Sequence, residues 1–238
     1  SEKLQRLDGM LGEVFTEINK LGIAENTVVV VMSDNGPMHA YSSSVTGLTE
    51  LVYRGGKTQH LEGGVRVDAF VRWPGVIEED AIARDIVHVS DLYTTFARLG
   101  QASKYIPRDR VVDGIDQTAL LLKGENHSRR DYVYVYEGPV LRSIVKREFK
   151  MHLPAPGVPG VYAGVYNVLR DPREQDMAIG QSLWSGASFQ NMVKRHQMTI
   201  AKYPHAKLGK GRPYEGIENP RPETVKAVEN FMSWQPGK

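Results

Sequence analysis

The chain has 238 residues, 41% of them hydrophobic and 24% charged, with a formal net charge of +2. This is an ordinary balance for a globular chain with room for one large domain or two small ones, and it argues against a protein held on nucleic acid by a basic surface. No cysteine is present, so these residues can form no disulfide framework, zinc–thiolate site or cysteine nucleophile, although that leaves the compartment open.

The chain opens at Ser1-Glu2-Lys3, without methionine or a secretory signal, directly into a helical pattern. It is therefore read as a piece whose upstream part lies elsewhere. Leu4, Leu7, Leu11, Val14, Ile18 and Leu21 recur at helical spacing and end at Gly22, which predicts an amphipathic helix. The run from Thr27 to Met32 is β-branched and apolar, and predicts a strand buried on both faces, as in a parallel sheet covered by helices. Its core, Val28 to Met32, is the longest apolar run and is far too short to span a bilayer. The strand ends in Ser33-Asp34-Asn35-Gly36, the place where open α/β sheets bind ligands.

Residues 37–64 form a polar, glycine-rich stretch longer than an ordinary connection, which suggests a functional loop. A second strand is predicted from Val67 to Trp73, closed by Pro74-Gly75. Ser90 or Asp91 is placed to cap a helix running to Leu99, with Gly100 beyond it. Asp116 to Leu122 is a short helix candidate. From Asp131 the texture changes. Tyr132 to Tyr136, Leu141 to Arg147, Phe149 to Leu153 and Tyr162 to Leu169 read as strands of a small antiparallel sheet, with residues 154–160 as a loop. Phe189, Val193, His196, Ile200 and Tyr203 give another helical stripe. Residues 207–222 read as an extended tail, and Thr224 to Trp234 as a last short helix. The predicted division is an α/β part at 1–125 and, at 126–238, a subdomain with antiparallel sheet, helix and tail.

Two constellations carry chemistry. In Ser33-Asp34-Asn35-Gly36, a carboxylate and a neighbouring amide oxygen are hard donors suited to calcium or magnesium. Taken alone, Asp-Asn-Gly is also an ordinary turn. In Arg54-Gly55-Gly56-Lys57, followed by Glu62-Gly63-Gly64-Val65-Arg66, the glycine pairs permit close backbone approach, and Lys57 can set a compact positive charge against an oxyanion. Alone, this too could be a structural loop with a solvated lysine.

In this order, and with Arg72-Trp73-Pro74-Gly75 after them, the two blocks resemble the type I sulfatases, especially arylsulfatase-A-like members. The resemblance continues through Ser90-Asp91-Leu92 and Asp113-Gly114-Ile115-Asp116. It extends through the pair formed by Leu141-Arg142-Ser143 and Lys150-Met151-His152-Leu153, and through Tyr166-Asn167 to Asp171-Pro172-Arg173-Glu174. It thus covers about residues 1 to 178 by motif order.

The resemblance implies an alkaline-phosphatase-like α/β fold, a mixed sheet flanked by helices, with a smaller C-terminal antiparallel sheet. It implies sulfuric ester hydrolysis, with Asp34 and Asn35 as metal ligands for Ca²⁺ or Mg²⁺ and Lys57 as the catalytic, sulfate-binding lysine. The family's nucleophile is a formylglycine from a (Cys/Ser)-x-Pro-x-Arg motif, and further metal ligands come from an Asp-Asp pair. Neither motif occurs here, so both are expected on the N-terminal half of the same protein, the expected partner besides the sulfate ester. The resemblance favours a periplasmic or secreted setting; the sequence leaves the cytoplasm open.

Rival readings are a phosphate or phosphonate ester hydrolase of the same superfamily, which often carries histidine where Asn35 stands, and a non-catalytic binding module derived from a sulfatase. His60, three residues past Lys57, is a candidate substrate contact, with a pocket-wall or structural role favoured. His39 is read as a loop histidine. Glu62, Arg66, His88 and His152 are read as structural supports, and the tyrosines at 132, 134 and 136 as sheet residues.

Overall fold

In the computed structural model of this chain, the described residues are 2–38, 52–154 and 164–204, together with 222, 225, 226 and 229. The backbone groups residues Ser1–Tyr203 into one compact unit and Pro204–Lys238 into a second. His39, the loop at 155–160 and most of the expected tail and last helix lie outside the described residues; Pro222, Val225, Lys226 and Glu229 are helical.

The first helix, α1 (Glu2–Lys20), has Glu2 in its first turn and Lys20 in its last, both complementing the helix dipole. It closes as a Schellman motif. Gly22 takes φ +67°, its amide donates to the Asn19 carbonyl, and the Ile23 amide donates to Ile18. Leu4, Leu7, Met10 and Val14 on its apolar stripe are exposed. The helix meets the next strands through Phe15, which lies under the Arg72 guanidinium, and Asn19, which accepts from Arg72.

Strand β1 (Val29–Met32) is shorter than expected and is not buried on both faces. Its valines are half-buried and Met32 is exposed. Among the described residues its sheet partner is β2 (Ala69–Arg72), paired antiparallel from Val29↔Arg72 to Met32↔Ala69. The apolar run correctly signals a strand made for burial, but burial on both faces needs neighbours that a pattern cannot supply. Between the two strands stands a single helical turn, α2 (Glu62–Val65).

Helix α3 (Val89–Leu99) starts two to three residues earlier than expected and is capped by His88, not by Ser90 or Asp91. The His88 ring accepts from the Ser90 amide, and Asp91 accepts from the His88 amide at 3.0 Å, a capping box with histidine in the serine's place. Asp91 is fully buried. It accepts from Arg130 at 2.6–3.1 Å, from the Ile115 amide at 2.8 Å and from Gln117 at 3.1 Å. The Asp113–Asp116 turn docks here because Gly114 has no side chain: a Cβ there would lie 2.2 Å from the Ser90 carbonyl oxygen. The short helix α4 (Thr118–Lys123) follows.

The second sheet is antiparallel in the order β3 (Tyr132–Glu137), β4 (Val140–Lys146), β5 (Phe149–His152), β6 (Gly164–Asn167). Its pleat sorts side chains onto two unlike faces. Ile144, Phe149 and Val165 turn to one side and pack with Phe189 of the long helix α5 (Ile179–Lys202), joined by Tyr134, Leu141, Met151, Met192 and Val193. Ser143, Lys150 and His152 turn to the other side and are also buried. A register shift between Val135 and Tyr136 leaves Arg142 as the extra residue of β4, and such bulges re-aim a side chain.

Candidate active site

The turn at the end of β1 is fixed by its own polar groups. Ser33 Oγ donates to the Asn35 carbonyl at 2.9 Å, the Asn35 amide donates to Asp34 Oδ1 at 2.9 Å, and Asn35 Nδ2 donates to the Gly36 carbonyl at 2.8 Å. The last bond commits the amide nitrogen and leaves Asn35 Oδ1, beside the Asp34 carboxylate, as the acceptor free for a ligand among the described residues. Asp34 is exposed and Asn35 half-buried. A carboxylate and an oriented amide oxygen fit a hard divalent cation.

Glycine brings the second constellation onto this turn. Gly36 donates to the Gly64 carbonyl at 3.1 Å, and a Cβ on Gly36 would fall 1.7 Å from the Gly63 carbonyl oxygen. A Cβ on Gly63 would meet the Gly55 carbonyl at 2.5 Å, and one on Gly64 the Gln59 carbonyl at 2.2 Å. Three strips of backbone thus lie in contact where side chains would separate them. The Lys57 amide donates to the Pro37 carbonyl at 2.8 Å, tying the lysine directly to the end of the Asp34–Asn35 turn. Thr58 beside it is held at φ +77°, a conformation a β-branched residue rarely takes outside a tight functional turn. The Lys57 side chain is exposed and has no ion pair among the described residues. Asp34, Asn35 and Lys57 line one open cleft of 1610 Å³, with Tyr53, Met38 and Arg66 on its wall. The fold therefore brings together the three residues singled out in the two motifs, 23 positions apart between Asp34 and Lys57.

His60 turns the other way. It is buried, and both ring nitrogens are engaged inside the protein: Nδ1 with Glu137 Oε1 at 2.7 Å and Nε2 with His152 Nδ1 at 3.1 Å. It is absent from the wall of the cleft, and its ring contacts are internal ones, on the structural side of the two roles considered for it. Burial holds its pKa below that of a free histidine despite the opposing Glu137 carboxylate.

Behind His60 lies a buried polar cluster that sequence reading did not assemble. His152 Nε2 bonds Glu174 Oε1 at 2.8 Å. Lys150 Nζ lies 3.1 Å from Glu62 Oε1 and 3.0 Å from Glu174 Oε1. Glu174 Oε2 accepts from the Glu62 amide at 2.9 Å, and Arg54 donates to the Glu174 carbonyl at 3.1 Å. Arg142 donates to Glu137 Oε2 at 2.9 Å. Burial pushes the Glu174 carboxyl up, but the His152 hydrogen bond, the Lys150 charge and the Glu62 amide outweigh it and hold it below the usual carboxylate range. Glu137 is held low in the same way, burial opposing and the His60 ring and amide prevailing. Glu62 and Arg66 do pair, at 3.6 Å, but the stronger partner of Glu62 is Lys150. The sequence signal for this cluster was the alternation Phe149-Lys150-Met151-His152, which sets two polar side chains on the face opposite two apolar ones.

The sequence model of the sulfatase family matches residues 1–102. Rat (Rattus norvegicus) steryl-sulfatase is 30% identical over 212 residues, covering 73% of this chain and 35% of the relative. Mouse (Mus musculus) N-acetylgalactosamine-6-sulfatase is 32% identical over 152 residues, covering 64% of this chain and 28% of the relative. The chain thus spans about a third of the length of these relatives. Among solved structures, the PsFucS1 sulfatase from Pseudoalteromonas sp. superposes with a TM-score of 0.76 at 28% identity, covering 86% of this chain and 43% of that one. The α/β fold with its antiparallel second sheet is shared with that neighbour.

Proposed function

We propose, from the premise that this chain belongs to the sulfatase family through the domain at residues 1–102, that it supplies part of the active site of a sulfuric ester hydrolase. The observation that carries this reading is the placement of Asp34, Asn35 and Lys57 on one cleft, with their backbones joined by the Lys57–Pro37 and Gly36–Gly64 bonds.

In this reading Asp34 and Asn35 hold a divalent cation, Ca²⁺ or Mg²⁺. The cation would supply Lewis-acid stabilisation of the oxyanion. Lys57 sets a positive charge toward the sulfate oxygens from a loop braced by backbone hydrogen bonds, the kind of preorganised arrangement in which electrostatic stabilisation is effective. The open side of the cleft receives the remaining part of the site, including the formylglycine nucleophile, from the N-terminal half of the same protein. The relatives' printed names describe sulfatases of steryl and N-acetylgalactosamine-6-sulfate esters; for this chain the class is taken no further than a sulfate ester.

The test uses the complete natural protein. Hydrolysis of an aryl sulfate well above that of the matching aryl phosphate is expected, and the Asp34→Ala variant should lose bound cation on metal analysis of the purified protein. A preference for phosphate, or full metal content in that variant, would overturn the reading.

A further inference from the structure

The two buried histidines pose a proton-counting problem with one solution. Four ring nitrogens form a line: Glu137 to His60 Nδ1 at 2.7 Å, His60 Nε2 to His152 Nδ1 at 3.1 Å, and His152 Nε2 to Glu174 at 2.8 Å. A carboxylate only accepts, so each outer nitrogen must carry a proton. The inner contact needs one proton between its two nitrogens. With none, two lone pairs face each other at 3.1 Å; with two, two N–H groups collide. Satisfying all three links therefore requires three protons on two rings and a single positive charge.

We propose that His60 and His152 share one such proton and act as a charged clamp that holds the Lys57 loop on the second sheet, making His60 a positioning residue for Lys57. Only the value of this positioning to catalysis rests on the sulfate-ester reading.

The surroundings suit one charge and not two. Glu137 at the end of β3 and Glu174 after β6 flank the pair, and Glu62 of α2 lies behind it, bound to Lys150. Against these three carboxylates stand Lys150 on β5 and Arg142 on β4, while Arg66 reaches Glu62 only from a partly exposed position at 3.6 Å and Arg54 bonds the Glu174 carbonyl, not its carboxylate. The shared proton supplies the missing positive charge. The Tyr166 ring of β6 packs edge-on against His152 at 5.0 Å. Burial, which lowers the pKa of His60, makes His60 the neutral partner, with Nδ1 protonated toward Glu137 and Nε2 accepting. The clamp reaches Lys57 by a short path: the His60 amide also donates to Glu137 at 2.9 Å, and Ser143 Oγ approaches the His60 carbonyl at 3.5 Å. Both backbone groups of His60 are thereby fixed three residues from the lysine.

Imidazole nitrogen NMR of the complete natural protein, with isotope-labelled histidine, tests the count. At neutral pH His60 should show one protonated nitrogen and His152 two, and as pH rises both rings should change together when the shared proton leaves. One proton on each ring at neutral pH, two on each, or independent titration of the two rings would overturn the proposal. Amide hydrogen exchange at Lys57 tests the positioning. In His60→Phe it should quicken on the order of tenfold or more, the loss of hydrogen bonds to charged groups. In His60→Gln, which can still donate to Glu137 and accept from His152, it should stay near the parent's rate. Unchanged exchange in His60→Phe, or equal acceleration in both variants, would contradict it. Should the phenylalanine variant not fold, the proton count in the parent still decides.

Discussion

Gly36 is where local chemistry and tertiary demand meet. In sequence it completes an Asp-Asn-Gly turn, for which glycine is merely favoured. In the structure the reason is space, since its missing Cβ would overlap the Gly63 carbonyl oxygen. Gly36→Ala must therefore pry the Asp34–Asn35 turn from the glycine loop. A loss of about 1–3 kcal/mol, the usual cost of overpacking, is expected in urea unfolding, together with weakened cation binding; parent-like stability would contradict the close approach. Lys150 makes the converse case. Its side chain is fully buried between Glu62 and Glu174. Lys150→Met keeps the volume but removes the ammonium that joins Glu62 to Glu174, leaving Arg66 and His152 as their remaining partners, and should cost about 3–5 kcal/mol, as when one member of a buried ion pair is removed.

The elements were legible wherever their period was. The alternation in Tyr132–Tyr136 and the helical stripe through Phe189 and Val193 located β3 and α5, although α5 begins at Ile179, ahead of its apolar stripe. The motif residues Asp34, Asn35 and Lys57 were legible as a pattern, and the fold sets them on one cleft through glycines that the sequence displays in plain view. The environment of β1 was not legible, because an apolar strand states what it can bury and not what lies beside it. Nor was the cluster around His60: the bonds that tie its glycine-loop members to the second sheet and to Glu174 span 77 to 120 positions, and pairing at that distance is decided by topology. His88 as the cap of α3 was missed because histidine is not among the residues favoured there.

At the scale of the whole molecule, carboxylates buried or half-buried among the described residues are held ionised by the cations and amides packed against them. Asp91, Glu137 and Glu174 all sit below their ordinary values in the fold, burial opposing and hydrogen-bonded cations or amides prevailing. A depressed folded pKa means that the unfolded chain binds the proton first, so this stability is complete above the ordinary carboxylate range and is lost as pH falls through the folded values. His60, also lowered, acts in the same direction beginning near neutrality. The melting temperature should therefore fall from neutral pH into the acid range, most steeply below the ordinary carboxylate values; a melting temperature independent of acid would contradict the buried ion pairs. No helix among the described residues is long and apolar enough to cross a membrane. The chain spans about a third of its curated relatives.

The central claim is that Lys57 sets its charge against the sulfate group beside a cation held by Asp34 and Asn35. Its most direct measurement is the turnover of Lys57→Ala in the complete natural protein, followed with an aryl sulfate and paired with a thermal melt. Because the side chain is exposed and only its backbone is tied into the loop, the melt should match the parent's while kcat drops by about 10²–10³-fold, the loss seen when one preorganised electrostatic contact is removed. A folded variant with near-parental kcat would contradict the claim.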